Sequence, residues 1–221
     1  DDGYFGKGME FDGDGDYVEV DMLGTLPIGS SSRTVSVWVK LVPDVSTYGR
    51  PVFWGSGDTN KEFGIYSHYG SGTWYFGTYG GNYNTGVSLD DSWHHHLSSY
   101  DGTTLLYYID GVLEVDEEVI LNTSNSNVFL GSTYGAGSYL NGTIDDVMIY
   151  NRSLSANEIQ AMYANQTTKY LNASVGMAEG TRDVTVYSQD VGGDVVSLTS
   201  YNVSVDSVAP TISVVSPLNG T

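Results

Sequence analysis

Short runs in which apolar and polar residues alternate recur along residues 9–150, and turn-forming residues separate them. The clearest run is TVSVWVKL at 34–41, in which Val35, Val37 and Val39 share one face and Trp38 points to the other. Residues 63–69 and 73–79 predict a hairpin around the glycines at 70 and 72. This period of two over many short segments predicts an all-β sandwich.

Residues 142–163, GTIDDVMIYNRSLSANEIQAMY, change from a strand pattern to a helical one. After an alternating strand, Ser155 and Glu158 form a capping box for a short helix. Ile159, Met162 and Tyr163 make the apolar side of that helix. We therefore expect one short helix to close the sandwich, in a first domain that spans residues 1–164.

The composition changes after residue 164, where strands rich in serine, threonine and valine replace the aromatic ones. Residues 165–221 are too few for a complete seven-strand sandwich. We expect a small β-extension that either docks on the first domain or pairs its open edges with another chain.

Charge narrows the range of partners. The chain has 27 acidic and 8 basic residues and a formal net charge of −19. Such a surface repels nucleic acid and anionic lipid, so we expect neither as a partner. No stretch approaches the roughly 18 apolar residues of a membrane span, so we expect no membrane insertion. Cysteine is absent, which leaves no disulfide or thiolate site.

The chain contains more N-glycosylation sequons than we expect of a cytosolic protein. A composition rich in Asn, Ser and Thr produces some by chance, but the number favours a glycosylated surface protein. The sequon asparagines are Asn122, Asn141, Asn151, Asn165, Asn172, Asn202 and Asn219.

Five segments resemble the concanavalin A-like, laminin-G-type jelly-roll domains of extracellular proteins. They are residues 6–20, 34–41, 93–111, 128–132 and 141–163. The resemblance implies an all-β, concanavalin A-like jelly-roll sandwich with one short C-terminal helix. Residues 205–210, VDSVAP, resemble the closing phrase of Ig-like repeats in prokaryotic surface proteins. The extension is therefore expected to be a partial Ig-like repeat.

This resemblance implies an extracellular or cell-surface module for adhesion or glycan binding, without enzymatic activity. Its partners would be glycans or other surface proteins. The alternative is a self-assembling subunit of an extracellular filament or surface layer. In that case strands after residue 170, or residues 211–215, would insert into a copy of the same chain. A third hypothesis, glycoside hydrolysis, rests on one acidic strand considered below.

Two acidic segments predict a structural calcium site. Calcium takes six to eight oxygen ligands, and the loop from Asp12 to Asp16 supplies carboxylates and glycine carbonyls. In the resembled domains that loop and the strand carrying Asp145 and Asp146 can lie close together. We therefore expect Asp12 or Asp16 to share an ion with Asp145 or Asp146. The alternative is two solvated acidic turns, in which Asp serves turn geometry.

Tyrosines of the predicted hairpin are candidates for glycan binding. Tyr66, Tyr75 and Tyr79 could stack on sugar rings while their hydroxyls bond to sugar hydroxyls. The alternative is that tyrosine simply suits β-strands.

Two weaker candidates remain. Glu114, Asp116 and Glu118 alternate as the carboxylates of jelly-roll glucanases do, but the run follows a hairpin turn and resembles an edge strand protected by charge. His94 and His96 share a face and would hold zinc only with a third ligand.

Overall fold

The computed structural model describes residues 2–42, 48–68, 70–167, 180–189 and 195–205. The strands of the sandwich are β1 (Met9–Asp12), β2 (Val18–Val20), β3 (Arg33–Leu41), β4 (Gly49–Gly55), β5 (Glu62–His68), β6 (Thr73–Gly77), β7 (Asn82–Ser88), β8 (Trp93–Tyr100), β9 (Thr104–Ile109), β10 (Val112–Glu118), β11 (Val128–Leu130) and β12 (Asn141–Tyr150). Helix α1 (Ala156–Thr167) follows, and then β13 (Gly180–Gln189) and β14 (Val195–Val205).

The twelve strands form two antiparallel six-stranded sheets. The first sheet has the order β1-β12-β3-β8-β9-β10, and the second has the order β2-β11-β4-β5-β6-β7. Strand β10 is the edge strand that the sequence predicts. Strand β7 was not predicted, because its sequence NYNTGVS lacks a regular apolar alternation. The all-β sandwich of the sequence prediction is confirmed.

Side chains from the inner faces of both sheets form the core, as the alternation predicts. Val35, Val37 and Val39 are fully buried there, and Trp74 and Phe76 meet them from the second sheet. Because inward and outward positions alternate, the remaining residues of each strand make two outer faces.

The outer face of the first sheet is covered by α1 and by the N-terminal loop at residues 2–8. Glu158 accepts a hydrogen bond from the Ser155 amide at 2.8 Å, so the predicted capping box is confirmed. Ile159 is fully buried and packs in a cluster with Leu97, Tyr108 and Leu154. We call this surface the covered face.

Trp38 is the centre of the covered face and is 1% exposed. Tyr4 of the N-terminal loop stacks on its indole ring, with centroids 3.6 Å apart and planes within 7°. Tyr163 of α1 lies 6.2 Å from the same indole. The chain thus covers this aromatic surface with its own segments. In the described ranges, no helix combines the length and hydrophobicity needed to cross a membrane.

Strands β13 and β14 pair with each other, from Gly180 opposite Val205 to Gln189 opposite Val195. The rest of the predicted extension, including residues 211–215, lies outside the described residues. Helix α1 ends at Thr167, three residues beyond the predicted boundary at 164. The Ig-like character of the extension stays a prediction.

Candidate functional site: the open face of the second sheet

The outer side of the second sheet carries aromatic and charged side chains around two glycines. We call it the open face. Phe53 is the cross-strand partner of Gly64, and Gly64 is the partner of Gly77. A Cβ atom at Gly77 would lie 2.7 Å from the Tyr66 ring, and one at Gly64 would lie 3.1 Å from the Phe53 ring. The two glycines therefore let both aromatic rings lie close against the sheet.

A buried ion pair lies between these rings. The Arg50 Nη1 atom is 3.1 Å from Glu62 Oε1, and the two side chains are 15% and 2% exposed. The Arg50 guanidinium is 5.2 Å from the Phe53 ring centroid and 4.7 Å from that of Tyr66. In the described part of the chain, its other N–H groups have no hydrogen-bond partner. They are free to donate to a ligand.

The hydroxyl of Tyr66 has no hydrogen-bond partner among the described residues, although the side chain is only 3% exposed. Burial raises the pKa of this phenol; nearby Arg50 opposes the rise and Glu62 adds to it. A buried hydroxyl without a partner costs about 1–3 kcal/mol. The indole nitrogens of Trp54 and Trp74 are also unpaired among the described residues, but they belong to core side chains between the sheets. Tyr66 is on the outer side of the sheet, with its hydroxyl enclosed by the protein beneath the open face.

Two exposed tyrosines lie on the solvent side of the Arg50–Glu62 ion pair. Tyr79 is 52% exposed and Tyr134 is 40% exposed. A Cβ atom at Gly57 would lie 3.5 Å from the Tyr79 ring and 3.8 Å from the Tyr134 hydroxyl. The two side chains therefore flank the open space at Gly57. Tyr134 also packs edge-on against Phe53, with centroids 4.9 Å apart. Burial, with a contribution from Glu62, raises the Tyr134 pKa to about 12.

Both tyrosines are held in a backbone conformation that large side chains rarely adopt. The φ angle is 54° at Tyr79 and 55° at Tyr134. Such positions cost roughly 1–3 kcal/mol and concentrate at functional sites. Another turn of the chain uses residues that adopt positive φ at lower energetic cost. Asp110 and Gly111 occupy the two-residue turn between β9 and β10.

Tyr75 and His68 extend the aromatic surface. Tyr75 is the cross-strand partner of Tyr66, and their ring centroids are 5.3 Å apart. His68 lies 5.0 Å from Tyr75, and Tyr48 lies 4.7 Å from His68. The structure therefore brings the three predicted tyrosines to one face. Tyr66 itself is buried, so Tyr75 and Tyr79 are the members of this group that reach the surface.

Sequence reasoning missed Arg50, Glu62 and Tyr134. Arg50 and Glu62 come from two neighbouring strands, while Tyr134 comes from a distant loop. The detectable signal was the pair of glycines, Gly64 and Gly77, at outward positions between aromatic residues.

The four predicted calcium ligands do not converge. In the β1–β12 register Asp12 is opposite Asn141, whereas Asp145 lies beyond the pair Met9–Ile144. The two acidic segments are thus separated by about four residues, or roughly 13 Å, along the strand. The part of the chain that the structure describes holds no group of three or more His, Asp or Glu side chains suited to a metal ion. These residues do not fit one shared calcium ion.

Asp145 instead holds the N-terminal loop in place. It is 9% exposed, and its two carboxylate oxygens accept hydrogen bonds from the amides of Phe5 and Asp146, each at 2.8 Å. Asp12 similarly accepts a bond from the Asp14 amide at 2.8 Å in its own loop. Both aspartates therefore have structural roles that require no metal.

The predicted histidine pair is occupied by protein contacts. The His94 Nδ1 and Nε2 atoms lie 2.6 Å from Asp110 and 3.1 Å from Asp90. His96 is fully buried, and its Nδ1 atom is 2.7 Å from the Tyr107 hydroxyl. This geometry gives no support to a zinc site.

The acidic strand β10 also departs from the expected pattern. A β-bulge between Leu113 and Val115 interrupts the alternation at Glu114. Asp116 and Glu118 lie on the exposed edge of the first sheet. The three carboxylates are thus placed on an edge strand rather than in the open face.

The predicted sequons differ in accessibility. Asn122 and Asn151 are exposed, and Asn141 is half-buried in β12. Asn165 and Asn202 lie in α1 and β14, whereas Asn172 and Asn219 are outside the described residues. Glycosylation of all seven stays a prediction.

Several solved structures share this fold. Domain 4 of AbnA, an extracellular arabinanase from Geobacillus stearothermophilus in complex with arabinotriose, is 20% identical with a TM-score of 0.50; the match covers 71% of this chain and 87% of that domain. The binding domain of Paraclostridial Mosquitocidal Protein 1 is 15% identical with a TM-score of 0.60, over 76% of this chain and 46% of that one. Trypanosoma rangeli sialidase in complex with a difluoro-KDN is 17% identical with a TM-score of 0.53, over 63% of this chain and 23% of the sialidase.

At these identities the similarity establishes the fold alone. The chain spans about a quarter of the sialidase and less than half of the toxin binding domain. No curated protein matches the chain. A family model described as the concanavalin A-like lectin/glucanases superfamily matches residues 12–160, about two thirds of the chain. The chain therefore belongs to the concanavalin A-like lectin/glucanase superfamily.

Proposed function

We propose that this chain is a non-enzymatic extracellular module that binds glycans through the open face. Tyr79 and Tyr134 supply exposed rings, and Arg50 supplies hydrogen-bonding groups beneath them. Sugars are recognised by this combination, because their apolar ring faces stack on aromatic rings while their hydroxyls bond to polar groups.

The observation that carries the proposal is the conformation of Tyr79. The amide of Thr78 donates to the Gly81 carbonyl, which leaves Tyr79 and Gly80 as the central residues of a turn with positive φ at both. Asn-Gly or Asp-Gly is the favoured pair in such a turn. A half-exposed tyrosine gains little burial to offset the strain, so we assign the side chain a role in binding.

The arabinotriose complex of the AbnA domain supports this assignment, because a domain with the same fold binds an oligosaccharide. The absence of catalysis is supported by the carboxylates. Glycoside hydrolysis uses two carboxyl groups that flank the bond. On the open face Glu62 is paired with Arg50, and the acidic strand β10 belongs to the other sheet.

Adhesion at a cell surface is the role we propose for this glycan binding. The seven sequons and the relation to extracellular domains favour it. Assembly into a filament by strand donation stays a prediction from the sequence, because residues 211–215 lie outside the described residues.

Gly57 offers a test that removes none of the binding side chains. Its φ angle is not positive, and its Cβ position points into the space between Tyr79 and Tyr134. Gly57→Leu should fill that space and abolish binding on a glycan array. Gly57→Ala, the matched control, should bind as the native chain does, since its Cβ makes only ordinary van der Waals contacts.

Both variants should have native melting temperatures, because position 57 is exposed. Unchanged glycan binding by a folded Gly57→Leu protein would contradict the assignment of the site. A native chain that binds no glycan on the array would contradict the function itself.

A further inference from the structure

We infer that the open face selects uncharged sugars and discriminates against carboxylated or sulfated ones. This inference rests on the proposed function and specifies the ligand class of the same site. It follows from how the charges of the site are paired.

The cation in the floor of the site is already neutralised. Arg50 pairs with Glu62 at 3.1 Å, and both side chains are largely buried. A second cation at the rim, Lys61, pairs with Asp58 at 3.2 Å. Beyond the effect of burial, Glu62 raises the pKa of the Tyr134 hydroxyl, Arg50 opposes that rise and Asp58 adds to it, so both carboxylates act at the position where a ligand would meet that side chain.

An anionic sugar would therefore find no uncompensated positive charge in the site. It would also approach a chain with a net charge of −19. Specificity often comes from such a repulsive element in addition to attractive contacts. The site disfavours an acidic ligand because the charge of Arg50 is already neutralised by its ion pair with Glu62.

The available hydrogen-bonding groups match a neutral hydroxyl. The unused N–H groups of Arg50 only donate. A sugar hydroxyl can accept from them without bringing any charge into the site. A carboxylate only accepts, and it brings a second negative charge towards Glu62.

The native full chain provides the first test, because no variant has to fold. We would compare hexasaccharides that differ only at C6, namely glucan with glucuronan, mannan with mannuronan, and galactan with galacturonan. Among pairs with a binding member, the neutral member should bind at least about tenfold more tightly at low salt. Added salt should narrow that difference, because it screens the repulsion.

Glu62→Gln is the second test, since the amide oxygen can still accept from Arg50 while the negative charge is lost. The preference for the neutral member should fall by at least about threefold. The matched control is Glu19→Gln on β2, which is exposed and three strands, or roughly 14 Å, away from β5. Measured at about 0.1–0.15 M ionic strength, it should leave the preference unchanged, because the separation then exceeds the Debye length of about 8–10 Å.

The outcomes separate the two claims. Equal or tighter binding of the acidic hexasaccharides, lost in Gly57→Leu, would overturn the inference and leave the glycan site in place. A Glu62→Gln protein that folds but keeps the full preference would also overturn it. Absence of binding by any sugar, here and on the glycan array, would overturn the proposed function and the inference with it.

Discussion

The two sheets both have aromatic outer faces, but the chain treats them differently. On the covered face, Tyr4 stacks on Trp38, and the imidazole of His95 lies 2.7 Å from the Ser36 hydroxyl. On the open face, Tyr79 and Tyr134 are 52% and 40% exposed. The hydroxyl of Tyr66 has no partner there among the described residues.

This difference distinguishes aromatic residues that stabilise the fold from aromatic residues that we assign to glycan binding. Aromatic residues that other segments cover contribute to the free energy of folding through burial. Aromatic residues left exposed at strained positions contribute little to the free energy of folding, and we assign them to binding instead. Mutations on the covered face should therefore lower stability, whereas those on the open face should lower binding.

Trp38→Ala should give the largest effect. The side chain is fully buried between β3, the N-terminal loop and α1, so its removal should lower the free energy of unfolding by about 3–5 kcal/mol. Urea denaturation measures this change. A loss below about 1 kcal/mol would mean that the covered face is not a structural contact.

Asp145→Ala should have the next largest effect on stability. It leaves the amides of Phe5 and Asp146 without their acceptor, and the expected loss is about 1–3 kcal/mol. Asp12→Ala, at the exposed end of β1, is the matched control and should cost less. Both carboxylate oxygens of Asp145 already accept hydrogen bonds from backbone amides. A calcium chelator should therefore not alter the difference in unfolding free energy between the two variants. A calcium-dependent difference would contradict this structural role.

Tyr79→Asn should separate the two properties in one residue. The change creates Asn-Gly, the favoured pair for this turn, so stability should stay constant or rise by up to about 1 kcal/mol. Glycan binding should weaken roughly tenfold, because an aromatic ring is lost. Thermal melting and a binding titration on the same sample measure both. A variant that loses stability and keeps its affinity would show that Tyr79 is a structural residue.

The pH dependence of stability should come from the strand that carries His94 and His95. The hydrogen bond to Asp110 raises the His94 pKa, with Asp90 contributing. The protonated His94 side chain therefore contributes about 1 kcal/mol to stability below pH 6.5, while the aspartates stay ionised. This contribution is lost as pH rises through the folded-state pKa of His94. The unfolding free energy of native protein relative to His94→Gln should be greatest near about pH 5.5 and smaller at about pH 8.

His95 should behave in the opposite way. Burial lowers its pKa to about 4, so its neutral form is stabilised in the fold. Stability relative to His95→Gln is present above pH 6.5 and is lost as pH falls from there towards 4. The stability of the native protein relative to each variant should change with pH in opposite directions. A change in the same direction for both would contradict the environments assigned to the two histidines.

Much of the fold could be predicted from local patterns. Alternation in β3 separates the three valines from Trp38, and the Ser155–Glu158 spacing identifies the start of α1. Within strand β12, however, a β-bulge between Asp145 and Met148 breaks the period of two. Such a bulge depends on pairing with β3 and leaves no simple signal in the sequence.

The site was predicted only in part for a related reason. Tyr66 and Tyr75 are cross-strand partners in the predicted hairpin, whereas Tyr79 lies in the turn that follows it. The ion pair of Arg50 with Glu62 depends on the alignment of β4 with β5, and Tyr134 arrives from a loop more than fifty residues away in sequence. Backbone φ angles and a hydroxyl without a partner are properties of the folded chain.

The most direct test of the account follows the aromatic signals of both faces during one titration. Isotope-labelled full chain would be titrated with the neutral hexasaccharide that binds most tightly, with its C6-carboxylated counterpart as the control. We predict that NMR signals of Tyr66, Tyr79 and Tyr134 shift with the neutral sugar, while those of Trp38 and Tyr163 do not. Shifts at Trp38 and Tyr163, with the open face unaffected, would contradict the account.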